Sequence, residues 1–311
     1  MSKPRILVLR GGAIGDFIST FPALRALRKR WPGCYIELVG YPHIAQLAQA
    51  GGLVDTIVSL DKAETARYFL PKPSISEGHA DYIRSFDLIV TYLYDPDGYV
   101  KNCLLSSGAK QVVYGCPIVR QSHAVDTLMK PLEELAIYQE GIETPRLELK
   151  VEHIKKGCGI VRKFGKKIIA VHPGSGSPAK NWPLAHFIKL CSLVSGQDRF
   201  KPVFLLGEAD TAIQAELTAL KNPIPVISGH SLVDIAGILS QSSGYAGNDS
   251  GITHLAAALQ IPVAAIYGTA NRATWAPRGS NAKILSATSL QEIDPLHVFN
   301  ELQHLISGLN S

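Results

Sequence analysis

The chain has 311 residues, 46% of them hydrophobic and 18% charged, with a formal net charge of +5. That length favours two domains over one core, and no apolar run approaches the roughly 20 residues a membrane-spanning helix needs. Five scattered cysteines with no C-x-x-C pair argue against a zinc site or disulfide framework and for a reducing cytoplasm; the dispersed aromatics disfavour a nucleic-acid partner.

Arg5 to Leu9 is a continuous apolar run, the pattern of a strand buried on both faces of a parallel sheet. It begins almost at once, so no secretory signal is expected. Arg10-Gly11-Gly12-Ala13-Ile14-Gly15-Asp16 follows as a glycine-rich turn, and Phe17, Phe21, Leu24 and Leu27 continue at helical spacing. Pro22 must kink that helix or open a second segment capped by Thr20. The helix closes on Arg25, Arg28, Lys29, Arg30 and Trp31. This basic end suits an anionic membrane surface or simply complements the helix dipole.

Strands are predicted at 35–39 and 56–60, with a helix at 42–50 between them. Residues 62–84 read as helix broken by Pro71-Lys72-Pro73. Strands follow at 87–92 and 111–114, then a helix over 124–138. The polar stretch Glu143-Thr144-Pro145-Arg146 is a candidate hinge. After a helix at 151–163, strand and helix alternate a second time. Strands are expected at 167–172, 203–206, near Val226, at 244–246 and at 263–267, and a final amphipathic helix at 290–306. This β–α alternation implies two Rossmann-like halves facing a cleft, with domains at 1–150 and 151–311. The last helix is expected to belong to the second half or to pack back on the first.

Ligands of such sheets bind beyond the carboxyl ends of the strands, and three loops of the second half sit there. The first is His172-Pro173-Gly174-Ser175-Gly176-Ser177-Pro178-Ala179-Lys180-Asn181-Trp182-Pro183. Its backbone amides and hydroxyls suit phosphate oxygens, and Lys180 adds a full charge. The second carries Glu208, placed for a ribose diol or for its own helix dipole. The third is Gly247-Asn248-Asp249-Ser250-Gly251-Ile252-Thr253-His254, where Ser250 or Asp249 caps an alanine-rich helix whose start favours an anion. In the first half, Asp16 is a helix cap or a general base kept ionised by Arg10. Arg10-x-Gly12-x-x-Gly15 lacks the first glycine of a dinucleotide fingerprint, which disfavours a dehydrogenase.

In these blocks, together with Phe21-Pro22-Ala23-Leu24, the chain resembles glycosyltransferase family 9, the lipopolysaccharide heptosyltransferases. The resemblance implies an α/β GT-B fold that binds acceptor in the N-terminal domain and nucleotide-sugar donor in the C-terminal one. Asp16 then matches the catalytic base, with Arg10 and Lys180 completing the catalytic set. Gly11 and Gly12 fall on the acceptor side. The donor side comprises Ser175, Gly176, Ser177, Lys180, Glu208, His230, Asp249, Ser250, Gly251 and His254. The reaction implied is inverting transfer of a sugar, heptose by family, from an ADP-sugar to a glycan or glycolipid acceptor. No metal and no cofactor is expected, the ADP-sugar being the donor substrate. The enzyme would be cytoplasmic, with peripheral contact at the inner membrane. Thr269-Ala270-Asn271-Arg272 replaces the Pro-Thr-Asp/Ser-Pro turn usual after Tyr267-Gly268. Two other readings stay open: a non-catalytic sugar-nucleotide-binding protein, and a nucleotide-sugar epimerase of similar fold.

Overall fold

The structure is a computed structural model and describes residues 3–269 and 272–308. The chain divides into two units, Met1–Pro145 and Arg146–Ser311. The boundary falls five residues before the expected one. Leu147 already donates its N–H to the Ala258 carbonyl at 2.8 Å, which attaches the 146–150 segment to the second unit.

In the first unit, β1 (Arg5–Leu9), β2 (Tyr35–Gly40), β3 (Thr56–Ser59), β4 (Leu88–Thr91) and β5 (Val112–Tyr114) form a parallel sheet in the order β3-β2-β1-β4-β5. Ile6 to Leu9 are fully buried, as a central strand covered on both faces requires. Pro22 is accommodated by a break: α1 (Ile14–Ile18) ends, and α2 (Phe21–Arg30) starts with the proline in its first turn, where a missing N–H costs no hydrogen bond. Helices α3 (Pro42–Ala50), α4 (Ala63–Ala66) and α5 (Glu77–Arg84) follow, then α6 (Tyr99–Ser106) and α7 (Ala124–Met129). The predicted helix at 124–138 continues past α7 only as a 3-10 turn, Lys130–Leu135, because Pro131 withholds an N–H from the ladder. Helix α6, with 8 residues, is too short to declare its period, and sequence reasoning passed over it.

The second unit starts with α8 (Val151–Val161). Its strands β6 (Lys167–His172), β7 (Phe200–Leu205), β8 (Val226–Ile227), β9 (Gly244–Asn248), β10 (Val263–Gly268) and β11 (Ala282–Ala287) order as β11-β10-β9-β6-β7-β8, all parallel. Edge strand β11 was not foreseen, since most of its side chains are only half buried and its pattern is weak. Helices α9 (Leu184–Ser195), α10 (Thr211–Thr218), α11 (Leu232–Leu239), α12 (Gly251–Ala258), α13 (Arg272–Trp275) and α14 (Pro295–Gly308) complete the unit. One core joins Ile169, Val171, Phe187, Leu190 and Phe204 with Val298, Leu302 and Ile306 of α14. At about 1.5–3 kcal/mol for each large side chain taken from water, such burial fixes α14 on its own unit's sheet. Across the sheet, α8 and α11 meet through Gly157 and Gly237: a Cβ on Gly157 would lie 2.1 Å from the Gly237 carbonyl.

Each sheet reverses its winding once, between β1 and β4 in the first and between β6 and β9 in the second. At such a point two neighbouring strands send their following loops in opposite directions and leave a crevice at their carboxyl ends. The Arg10–Asp16 turn leaves β1. The 173–183 loop and the Asp249-Ser250 turn leave β6 and β9.

Candidate active site

At the first switch point the turn is built around a buried cation. Arg10 is only 3% exposed. Its Nε–H donates to Thr20 Oγ1 at 3.0 Å and its Nη2–H to the Asp16 carbonyl at 2.8 Å. Burial lowers the Arg10 titration from its ordinary value, and the nearby Asp16 charge opposes that shift. Arg10 therefore grips the main chain of Asp16 and reaches its carboxylate through space. The Asp16 carboxylate is half-buried and accepts the Ala13 N–H through Oδ2 at 3.2 Å. This is the reciprocal half of a capping box; alanine has no oxygen for the other half. Gly12 bends the turn at φ +99°, where a Cβ would stand 3.1 Å from Asp16 Cβ and 3.3 Å from Oδ2. A Cβ on Gly11 would meet Leu60 Cδ2 at 3.2 Å. Gly12 thus lets the backbone pass close to the carboxylate without a side chain between, while Gly11 lets it pass close to Leu60.

At the second switch point, Lys180 Nζ lies 2.8 Å from Asp249 Oδ2, the lysine 41% and the aspartate 12% exposed. Ser250 caps α12, its Oγ accepting the Thr253 N–H, and Gly251 is the first helical residue. The first N–H groups of such a helix have no intrahelical partner, and the dipole adds positive potential there. Lysine and helix start together form a cationic corner with one carboxylate set into it. Burial, and then the Asp249 charge, push the Tyr267 phenol up, so Tyr267 stays a neutral donor.

The glycine-serine loop is more constrained than its composition suggests. Ser175 Oγ lies 2.6 Å from both the Ser177 carbonyl and Asn181 Oδ1, and accepts the Ser177 N–H at 3.2 Å. A hydroxyl has one proton, so Ser175 holds the turn together, while Gly176 is exposed and Ser177 half-exposed. Glu208 and His230 are exposed, just beyond β7 and β8. His254 is 7% exposed, with Nε2 at 3.4 Å from the Tyr267 hydroxyl. Its N–H is given to the Ser250 carbonyl at 3.3 Å and its ring is buried beside Tyr267, so the residue takes part in α12 itself.

Three residues that shape this corner were given no role of their own in the sequence reading. Asn248, fully buried, donates to the Pro173 carbonyl at 2.7 Å and accepts the Trp182 N–H at 3.0 Å, joining both ends of the loop to β9. Asp210 accepts the Gly207 N–H at 2.8 Å and lies so close to Gly174 that a Cβ there would fall 2.1 Å from its Oδ1. His172 places Nδ1 2.8 Å from the Leu205 carbonyl, a contact that requires the Nδ1–H tautomer. Burial lowers its titration, so the ring is neutral. The available signal was positional: polar residues ending otherwise apolar strands. Ala270 and Asn271 of the divergent turn lie outside the described residues. Among the described residues no group of three or more His, Cys, Asp or Glu is placed to hold a metal ion, and no helix is long and apolar enough to cross a membrane.

The family model described as glycosyltransferase family 9 (heptosyltransferase) matches residues 107–305, which include all three donor-side loops. The chain belongs to glycosyltransferase family 9. The family 9 match begins after the Asp16 turn, so it bears on the second unit above all. Lipopolysaccharide heptosyltransferase 1 of Salmonella typhimurium is 21% identical over 324 residues, covering 96% of this chain and 99% of that protein. The family 9 glycosyl transferase of Veillonella parvula superposes with a TM-score of 0.81 at 22% identity, covering 100% and 99% of the two chains. Escherichia coli ADP-heptose lps heptosyltransferase II gives 0.79 at 18% identity, covering 99% and 100%. The structural likenesses establish the GT-B type fold, and family membership makes the protein a glycosyltransferase.

Proposed function

We propose that this family 9 enzyme transfers heptose from ADP-heptose to a hydroxyl of a lipopolysaccharide core or related glycolipid acceptor, with inversion. The observation that carries the reading is the Lys180–Asp249 pair beside the start of α12 at the β6/β9 switch point. A leaving diphosphate gains negative charge as the sugar becomes oxocarbenium-like, and a preorganised cation with helix N–H groups stabilises charge that develops there. Lys180, the amides of Gly176 and Ser177, and the Ser250-Gly251 helix start would hold the diphosphate. Asp249 would lie near the donor sugar, Glu208 near the ribose, and the backbone around His230 near the base.

Asp16 is the proposed base. Its carboxylate takes the acceptor hydroxyl proton as the new C–O bond forms, and the sugar–phosphate bond breaks to release ADP. Arg10 positions it by holding its main chain. Inversion follows from attack opposite the departing phosphate. Retention of this carboxylate favours an enzyme over a binding-only protein.

The deciding experiment is Asp16→Asn. Transfer should fall about 10²–10⁴-fold, the contribution of a positioned base, while ADP affinity measured by calorimetry changes less than about twofold. Turnover near that of the wild type would remove Asp16 from the mechanism. A lipid-linked acceptor would also bring the Arg25–Trp31 surface to an anionic membrane. Flotation with phosphatidylglycerol vesicles, lost on raising salt, checks that contact.

A further inference from the structure

The first unit's switch point carries one aromatic ring that neither the fold nor the proposed base accounts for. Tyr94 leaves the end of β4, the strand beside β1, and is 56% exposed, whereas its neighbours Leu93 and Asp95 are 5% and 7% exposed. A single exposed tyrosine means little by itself. What distinguishes this one is the rigidity of its support. Before it, Tyr92 donates its N–H to the Leu9 carbonyl at 2.8 Å and its hydroxyl to the Leu128 carbonyl at 2.8 Å. After it, the Asp95 carboxylate accepts the N–H groups of Val100 and Lys101 at 3.0 Å each, and Gly98 turns the chain into α6 at φ 73°. The ring is thus held outward between two anchored residues, at the carboxyl edge of the sheet.

The strand order sets what lies beside it. The Arg10–Asp16 turn leaves β1, between the end of β2 on one side and the end of β4 on the other. On the β2 side Tyr41 packs on the turn, its Cε2 3.7 Å from the position of a Gly11 Cβ, with the His43 ring 6.2 Å away. On the β4 side stands Tyr94, followed by the exposed carboxylate of Asp97. Sugar rings present apolar C–H faces that stack on aromatic rings, and their hydroxyl pairs donate to carboxylates.

Resting on the transferase reading above, we infer that Tyr94 is the stacking platform for the acceptor sugar, a specificity-determining residue that binds the sugar on the β4 side of the Asp16 turn. Asp97 accepts from the hydroxyls at the rim of the same platform. Tyr94 belongs to the first unit and the residues proposed to hold the diphosphate to the second, so its contribution separates from theirs.

The test compares Tyr94→Ala, Tyr94→Phe and the wild type in three assays. These are transfer from ADP-heptose to a deacylated lipopolysaccharide core oligosaccharide, acceptor-independent hydrolysis of ADP-heptose, and ADP binding. Loss of the ring should raise KM for the oligosaccharide roughly 3- to 10-fold, with kcat, hydrolysis and ADP affinity within about twofold. Tyr94→Phe should restore KM, because stacking needs the face and not the hydroxyl. An unchanged KM in Tyr94→Ala overturns the inference. So does a parallel loss of hydrolysis, or a phenylalanine variant no better than alanine. A wild-type enzyme that leaves the oligosaccharide unmodified would instead overturn the acceptor assignment together with this inference, whereas failure of the tyrosine variants alone leaves the transferase reading standing.

Discussion

Lys180 and Asp249 form an ion pair at the second switch point. A carboxylate set into a phosphate-binding corner repels the ligand that corner is built for, and the lysine at 2.8 Å offsets that repulsion. Removing Lys180 therefore costs twice, through a lost cation and an uncovered anion. Lys180→Ala should weaken ADP binding about 10- to 100-fold, and adding Asp249→Asn should recover part of the loss. Calorimetry on the two variants and the pair reads the coupling; strictly additive losses would show that the two side chains do not share the diphosphate. Gly12 makes a separate case. At φ +99° and 3.1 Å from Asp16 Cβ, any side chain strains the turn and pushes on the base. Gly12→Ala should cut turnover while ADP affinity stays constant.

Among elements, the sharpest contrast lies within α8. Gly157 and Gly159 both sit in its interior, and sequence gives no reason to treat them differently. A Cβ on Gly157 would collide with the Gly237 backbone at 2.1 Å, whereas one on Gly159 would meet nothing within 4 Å. Gly157→Ala should destabilise by at least the 1–3 kcal/mol typical of overpacking, and Gly159→Ala should be neutral or stabilise by about 0.5–1 kcal/mol. Thermal melts of the two variants, moving in opposite directions, check this. Most elements were legible because buried parallel strands are continuous apolar runs: β1, β6 and β10 announce themselves. Edge strand β11 did not, since half-burial blurs its pattern, nor did α6, whose eight residues carry too little period. The glycine-rich loops were legible as loops that leave the carboxyl ends of the strands. Which of their groups are already engaged was not, because Ser175's partner Asn181 and Asn248's partners Pro173 and Trp182 depend on distances that only the fold sets.

For the molecule as a whole, pH acts through buried groups. His172, neutral in the folded protein, has its titration lowered by burial below its ordinary value of 6.5. The unfolded chain then binds the proton first, so the stability this ring contributes is complete above 6.5 and is lost as pH falls from there toward the lowered folded value. Melting temperature should drop on acidification below 6.5, and His172→Asn, which retains a donor for the Leu205 carbonyl, should flatten that slope. A slope identical to the wild type would assign the effect to other groups. The two-unit organisation was readable from the doubled β–α alternation, whereas the boundary was displaced because polar residues 146–150 look like linker until the Leu147–Ala258 hydrogen bond is seen.

The indole of Trp182 gives its Nε1–H to the carbonyl of Ile293 at 3.1 Å, just ahead of the closing helix. The loop proposed to meet the diphosphate is therefore moored to the segment that leads into α14, 111 positions further on. Deleting α14, or attaching a bulky group that tugs on it, should loosen nucleotide capture without altering a single residue that meets the ligand.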